Sequence, residues 1–303
     1  MLFQLPHIGV PVDILFYIPF GNTHGFPVTN TFIVTWLTIL LIVGIFFAAA
    51  RRPKIVPKPI QNLVEWVVES LLNLCEEVAG KENGRRFFPW VATIFIFVLF
   101  ANWWEVVPGI ESIGTPEPGA HAAFTFLGIQ FLTGASSAKI TPWFRPPSTD
   151  LNLTIAIALV SVVMTQVYGF RRLGMKEHLG KYLNFRGGPI GLFVGLLEAI
   201  LELMRLVSFS FRLFGNLFAG DVLLLVMAFL VPFVGATAFY FLEVFVGFIQ
   251  AFVFALLTLV FMTLSVTPGE HGEHDASAEE HADQGAEARL GPTHSPVESS
   301  TAA

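Results

Sequence analysis

Residues 32–50 run for nineteen positions without a charged side chain. As a helix rising ~1.5 Å per residue, such a run covers the hydrocarbon core of a bilayer. Lipid offers the backbone no hydrogen-bond partners, so a crossing segment is either a helix or a strand of a closed barrel. This run is continuously apolar and longer than a strand, which selects the helix. Four more apolar stretches follow, at 87–107, 151–170, 189–230 and 239–266. Composition agrees: 54% of the chain is apolar and 13% charged, against roughly a quarter charged in a soluble fold. The single cysteine, Cys75, excludes an internal disulfide and a Cys-x-x-Cys metal site.

The expected division is an external N-terminal segment at 1–31, a membrane domain at 32–266, and an acidic, disordered cytoplasmic tail at 267–303. The first segment has no Lys or Arg, so the basic start of a cleaved secretory signal is missing. The tail carries eight acidic residues and one basic residue, Arg289, and most of the net charge of −6 is its doing. The remaining body is close to neutral, which argues against a nucleic-acid-binding surface. A metal could sit on GEHGEH and His281 of the tail, but a solvated stretch explains them as well. No P-loop, HExxH, GxSxG or GxGxxG element stands in a fitting context, so no cofactor, no metal and no covalent chemistry are expected.

Residues 59–80, PIQNLVEWVVESLLNLCEEVAG, place Ile60, Leu63, Val64, Val67, Val68, Leu71, Leu72 and Cys75 at helical spacing with acids on the other face. Two readings stand: an interfacial helix anchored by Trp66 and the flanking lysines, or a cytoplasmic helix against a soluble partner. Trp103 and Trp104 close the second span at an interface. Residues 108–150 read as an external loop rich in Pro, Gly and Ser, within which 127–133 can dip into the interface. The stretch 189–230 would measure about 60 Å as one helix, so it must tilt, bend or begin outside the bilayer. VPFVGATA, with Pro232 and Gly235, reads as a hinge before the last helix. The fold class is therefore an all-α membrane protein. It has about five membrane helices plus one amphipathic helix, the last two spans forming a long tilted hairpin.

Basic residues set the expected orientation. Segment 51–86 has seven, loop 108–150 has two (Lys139 and Arg145), and 171–188 has five. The N-terminal segment and the 231–238 hinge have none. That alternation puts the N-terminus outside and the C-terminus in the cytoplasm.

Ionisable residues inside a membrane are costly and mark function by default. The fourth stretch has Glu198, Glu202, Arg205, Arg212 and Asp221, and the fifth has Glu243 and the polar Gln250. At 100° per residue, Glu198, Glu202, Arg205, Arg212 and Asn216 share one stripe, and Asp221 faces another way. Glu198 is expected toward the inside, with Asp221 and Glu243 toward the outside at a common depth. Arg212 falls between them, a pattern of two wet pathways rather than one pore. Arg205 and Glu202 read as structural, because Arg205 can snorkel. Gly215, Ala219 and Gly220 thin the helix beside Arg212, so another helix can approach or pack there. Arg212 itself either faces another chain or pairs with an internal carboxylate such as Glu243.

RLFGNLFAGD (212–221), followed by IQAFVFALLTLVFMTLSV (249–266), closely resembles subunit a of F-type ATP synthases. PSTDLNLT (147–154) and QNLVEWVVE (61–69) resemble the same family, and the likeness spans about residues 30–267. The resemblance implies a proton-conducting stator with no catalytic site of its own, packed against a c-ring of small proteolipid subunits. Peripheral-stalk b subunits and the nucleotide-binding F1 head are the other implied partners, in an energy-transducing membrane such as the bacterial plasma membrane. It places the essential arginine on Arg212, with Asn216 and Gln250 beside it. The inner glutamate falls on Glu198 and the outer polar pair on Asp221 and Glu243. Many members have one His and one Glu in that pair; here both are acidic. Asp150, Asn152 and Ser208 match further polar positions of the half-channels.

Two other classes remain open on the residues. A self-contained secondary transporter needs a midplane site between repeats, and no internal repeat is visible. A structural subunit of a respiratory complex would pair Arg212 within the chain and leave no thin exposed face.

Overall fold

Thr29 marks where the first membrane helix starts. Its hydroxyl accepts from the Phe32 amide, and helix α1 then runs over Asn30–Ala50. The computed structural model describes residues 14–18, 26–51, 59–107, 110, 113–116, 124–126, 129–131, 140–174, 188–231 and 234–267. The tail beyond 267, with GEHGEH and His281, lies outside them. So do the basic segments 52–58 and 175–187 and most of the N-terminal segment.

Helix α2 spans Pro59–Trp103 but is bent at Gly80, whose φ of 77° breaks it into two arms. The first arm carries Glu65, Glu69, Glu76 and Glu77, so the second does the crossing. Leu71 and Cys75 of the first arm are buried in the core, whereas Ile60, Leu63 and Trp66 are exposed. The arms meet closely: a Cβ at Gly84 would lie 2.5 Å from the Cys75 carbonyl oxygen. Glu76 and Arg85 pair across the corner at 2.7 Å.

Helix α3 covers Leu151–Leu173, capped by Asp150. Helix α4 covers Gly188–Leu230, and α5 covers Val234–Val266. The expected hinge is narrower than VPFVGATA, since α5 already includes Gly235 and only 231–233 stand between the helices.

Among the described residues four helices are long and apolar enough to span a membrane. They are α1, α2, α3 and α5; α4 is the helix that carries Glu198, Glu202, Arg205, Arg212 and Asp221. The protein is an all-α membrane protein, with five α-helices among the described residues. Its loops add small antiparallel strands that the loop reading did not anticipate. Ile14–Ile18 (β1) pairs with Phe26–Thr29 (β2). Gly114–Pro116 (β3), Phe124–Phe126 (β4), Ile129–Phe131 (β5) and Ile140–Pro142 (β6) form a sheet in the order β4-β5-β3-β6. Thus 129–131 of the stretch expected to dip into the interface is strand, and its flanks lie outside the described residues.

The core runs along α5, which packs on α2, α3 and α4, while α1 packs on α2. Phe209, Leu213 and Leu217 of α4 meet Phe254, Ala255 and Leu259 of α5 in one buried cluster. Hydroxyls cross-link α3 to both of these helices. Thr154 and Ser210 lie 3.2 Å apart, and Ser161 and Thr258 lie 2.8 Å apart. Such bonds join helices where lipid supplies no partner.

Candidate functional site

On α4, Ser208, Arg212, Gly215 and Ala219 recur at spacings of three and four, so they share a face. All four are exposed. Leu213 and Leu217 point the other way and are fully buried. A Cβ on Gly215 would meet nothing within 4 Å, so the helix is thin and unobstructed beside Arg212. The Arg212 guanidinium lies 5.9 Å from the Phe209 ring. Among the described residues it has no ion-pair partner. Arg205 is held quite differently. It pairs with Glu202 at 2.9 Å and stacks over the Phe261 ring at 3.8 Å.

Gly220 departs from the expected face. It is buried, and a Cβ there would collide with the Glu243 carboxylate and come within 2.7 Å of Glu105 Oε1. Its missing side chain therefore serves contacts inside this chain rather than a close approach from outside. The backbone of α4 touches two acids here, Glu243 of α5 and Glu105 just past the end of α2. Both are buried, and half-buried Asp221 is the next residue. Glu105 was not among the sequence candidates. Its signal was an acid three residues after Asn102, at the end of an apolar run and following two tryptophans.

Asp150 sits at the same end of the bundle. Its carboxylate accepts from Thr31 Oγ1 at 3.0 Å and from the Asn152 amide at 2.9 Å. It thus caps α3 and ties that helix to α1. Asn152 contributes its backbone, and the residue is exposed. Asn102, also missed, accepts from Ser148 Oγ at 2.9 Å and donates to the Gly247 carbonyl at 3.1 Å. Asn216 on α4 is half-buried, and Gln250 on α5 is buried. Asn216 Nδ2, Gln250 Nε2 and Glu243 Oε1 are buried and without a hydrogen-bond partner among the described residues. A dry, unpaired polar atom costs about 1–3 kcal/mol, so each is an atom that water or another chain can satisfy. Glu198 is half-buried near the other end of α4. By helical rise it lies ~35 Å from Asp221 along the axis.

Comparison with known proteins covers most of the chain. The family model described as "ATP synthase A chain" matches residues 32–263. A protein named ATP synthase subunit a from Moorella thermoacetica is 32% identical over 236 residues, 78% of this chain and 90% of the relative. Another of that name, from Helicobacter pylori strain P12, is 30% identical over 254 residues, 83% of this chain and 94% of the relative. A third, from Trichlorobacter lovleyi, is 32% identical over 236 residues, 77% of this chain and 85% of the relative.

Proposed function

Because this chain belongs to the ATP synthase A chain family, a multi-pass membrane subunit of that enzyme, we propose that it is the proton-conducting stator. In this reading Arg212 faces the mid-membrane carboxylates of a c-ring. The observation that carries it is the exposure of Arg212 on a thin, unobstructed stripe with no counter-charge within the described chain. A cation at a lipid-facing surface is expensive unless another chain supplies its partner.

A ring carboxylate in lipid is neutral, because desolvation disfavours its charged form. Opposite Arg212 it ionises, since a nearby cation favours the anion. Its proton leaves on one side of Arg212 and is replaced from the other. The fixed positive charge also bars direct proton passage between the two sides. Asp221, Glu243 and Glu105 then line an outer half-channel, and Glu198 belongs to an inner one. Asn216 and Gln250 flank the arginine and hydrogen-bond the ring carboxylate or its water. Gly215, Ala219 and Ser208 let the ring come close. Asp150 shapes the outer mouth through Thr31. The orientation is N-terminus outside and C-terminus cytoplasmic, with b subunits and the F1 head completing the complex.

The test is Arg212→Ala in the assembled enzyme. ATP-driven proton pumping is expected to vanish while the subunit still co-purifies with ring and head. Pumping at the wild-type rate would refute the role of Arg212.

A further inference from the structure

Asn102 is 1% exposed and stands near the end of α2, three residues before Glu105. Both ends of its amide are used. Oδ1 accepts from Ser148 Oγ, and Nδ2 donates to the Gly247 carbonyl. That carbonyl can only accept, so the amide has one workable orientation. Gly247 lies one turn beyond Glu243 on α5. A Cβ there would come 3.3 Å from Asn102 Cβ, so the two helices approach closely at this level. Trp103 adds a second grip, its indole N–H donating to the Val244 carbonyl at 3.3 Å. Ser148 is fully buried and belongs to the 3₁₀ turn that leads into Asp150. One side chain therefore joins α2, α5 and the turn that caps α3, beside the place where Glu105 and Glu243 meet Gly220.

We propose that Asn102 is a positioning residue: it fixes α2 against α5 and thereby holds Glu105 and Glu243 together at Gly220. It touches neither ring nor proton. It acts by setting the register of the two helices that carry the acids. A slide of α5 along α2 would break the Gly247 and Val244 bonds together and carry Glu243 away from Glu105. The proposal rests on the outer half-channel reading given above.

The measurement is passive proton flux through vesicles carrying the assembled complex stripped of its head, driven by a potassium diffusion potential. Asn102→Asp keeps the acceptor for Ser148 but sets an oxygen against the Gly247 carbonyl. It is expected to slow flux ~10-fold or more, with the subunit still assembled. Glu243→Gln is expected to slow flux by itself. The deciding variant is the double one. If Asn102 acts through Glu243, the two losses overlap and the double variant is little slower than Glu243→Gln alone. A double variant slower than Glu243→Gln by the full resistance that Asn102→Asp adds on its own, or wild-type flux in Asn102→Asp, would overturn the positioning role and leave the half-channel reading standing. Wild-type flux in both Glu243→Gln and Glu105→Gln would sink the half-channel reading itself. Should Asn102→Asp fail to assemble, Asn102→Ser is judged by the same comparison, since its hydroxyl is too short to reach Gly247.

Discussion

Gly215 and Gly220 lie on one helix and are glycines for opposite reasons. At Gly215 an added methyl meets open space. Gly215→Ala should therefore leave the subunit's own thermal stability unchanged or slightly raised, since Ala is the better helix former by up to ~1 kcal/mol. Any loss of ATP-driven pumping in that variant then reports a neighbour from another chain. At Gly220 the methyl would strike the Glu243 and Glu105 carboxylates. Gly220→Ala is expected to cost about 1–3 kcal/mol and to slow proton flux in the assembled complex. Equal behaviour of the two variants in a paired melting and pumping assay would contradict the two faces. Sequence separated these glycines poorly, because small residues look alike until the partner across the helix is known. Arg212, by contrast, was legible at once, since a cation amid apolar residues needs an explanation wherever it points. Glu105 was not, because an acid beside interfacial tryptophans is unremarkable until a second acid from another helix arrives beside it.

The bent α2 is the element whose form the sequence disclosed least. Its two arms were each readable, one from amphipathic spacing and one from apolar length. The corner was not, because it depends on a positive φ at Gly80 and on backbone contact between Gly84 and Cys75. The short strands stayed hidden for a related reason: three-residue segments are too brief for alternation to show. The corner has a chemical reporter. Burial pushes the Cys75 thiol from 9.0 up to about 11. At pH 8 its thiolate is then about 100-fold scarcer than that of an ordinary thiol. Cys75 should resist maleimide labelling in the folded subunit. Gly84→Ala, which forces a methyl against backbone, should open the corner and speed labelling. Rapid labelling of the unmodified protein would show that the arms are not packed this way. The sign of the pH effect follows from the same shift. The unfolded thiol ionises first, so this group's contribution to stability falls as pH rises from about 9 toward 11.

Along α4, acidic residues stand on both sides of Arg212, which unlike Arg205 has no ion-pair partner among the described residues. Asp221 lies ~14 Å from Arg212 by helical rise, and Glu198 lies ~21 Å from it on the other side. Buried apolar residues such as Leu213 and Leu217 fill the seam between α4 and α5 at the level of the arginine. On the proposed reading, that packing separates the two acidic regions. A proton that crosses, on the same reading, uses both regions in turn, carried past Arg212 by a group on another chain. Regions used in turn act in series, and resistances in series add. Glu198→Gln and the pair Asp221→Asn with Glu243→Gln should each slow passive flux in head-stripped vesicles. The triple variant should be slower than either, yet by much less than the product of the two effects. Parallel paths behave otherwise, because blocking one leaves the other intact and each partial variant keeps most of its flux. Measuring the three variants side by side at one diffusion potential separates the two arrangements. Retention of most flux in both partial variants would rule out the series path.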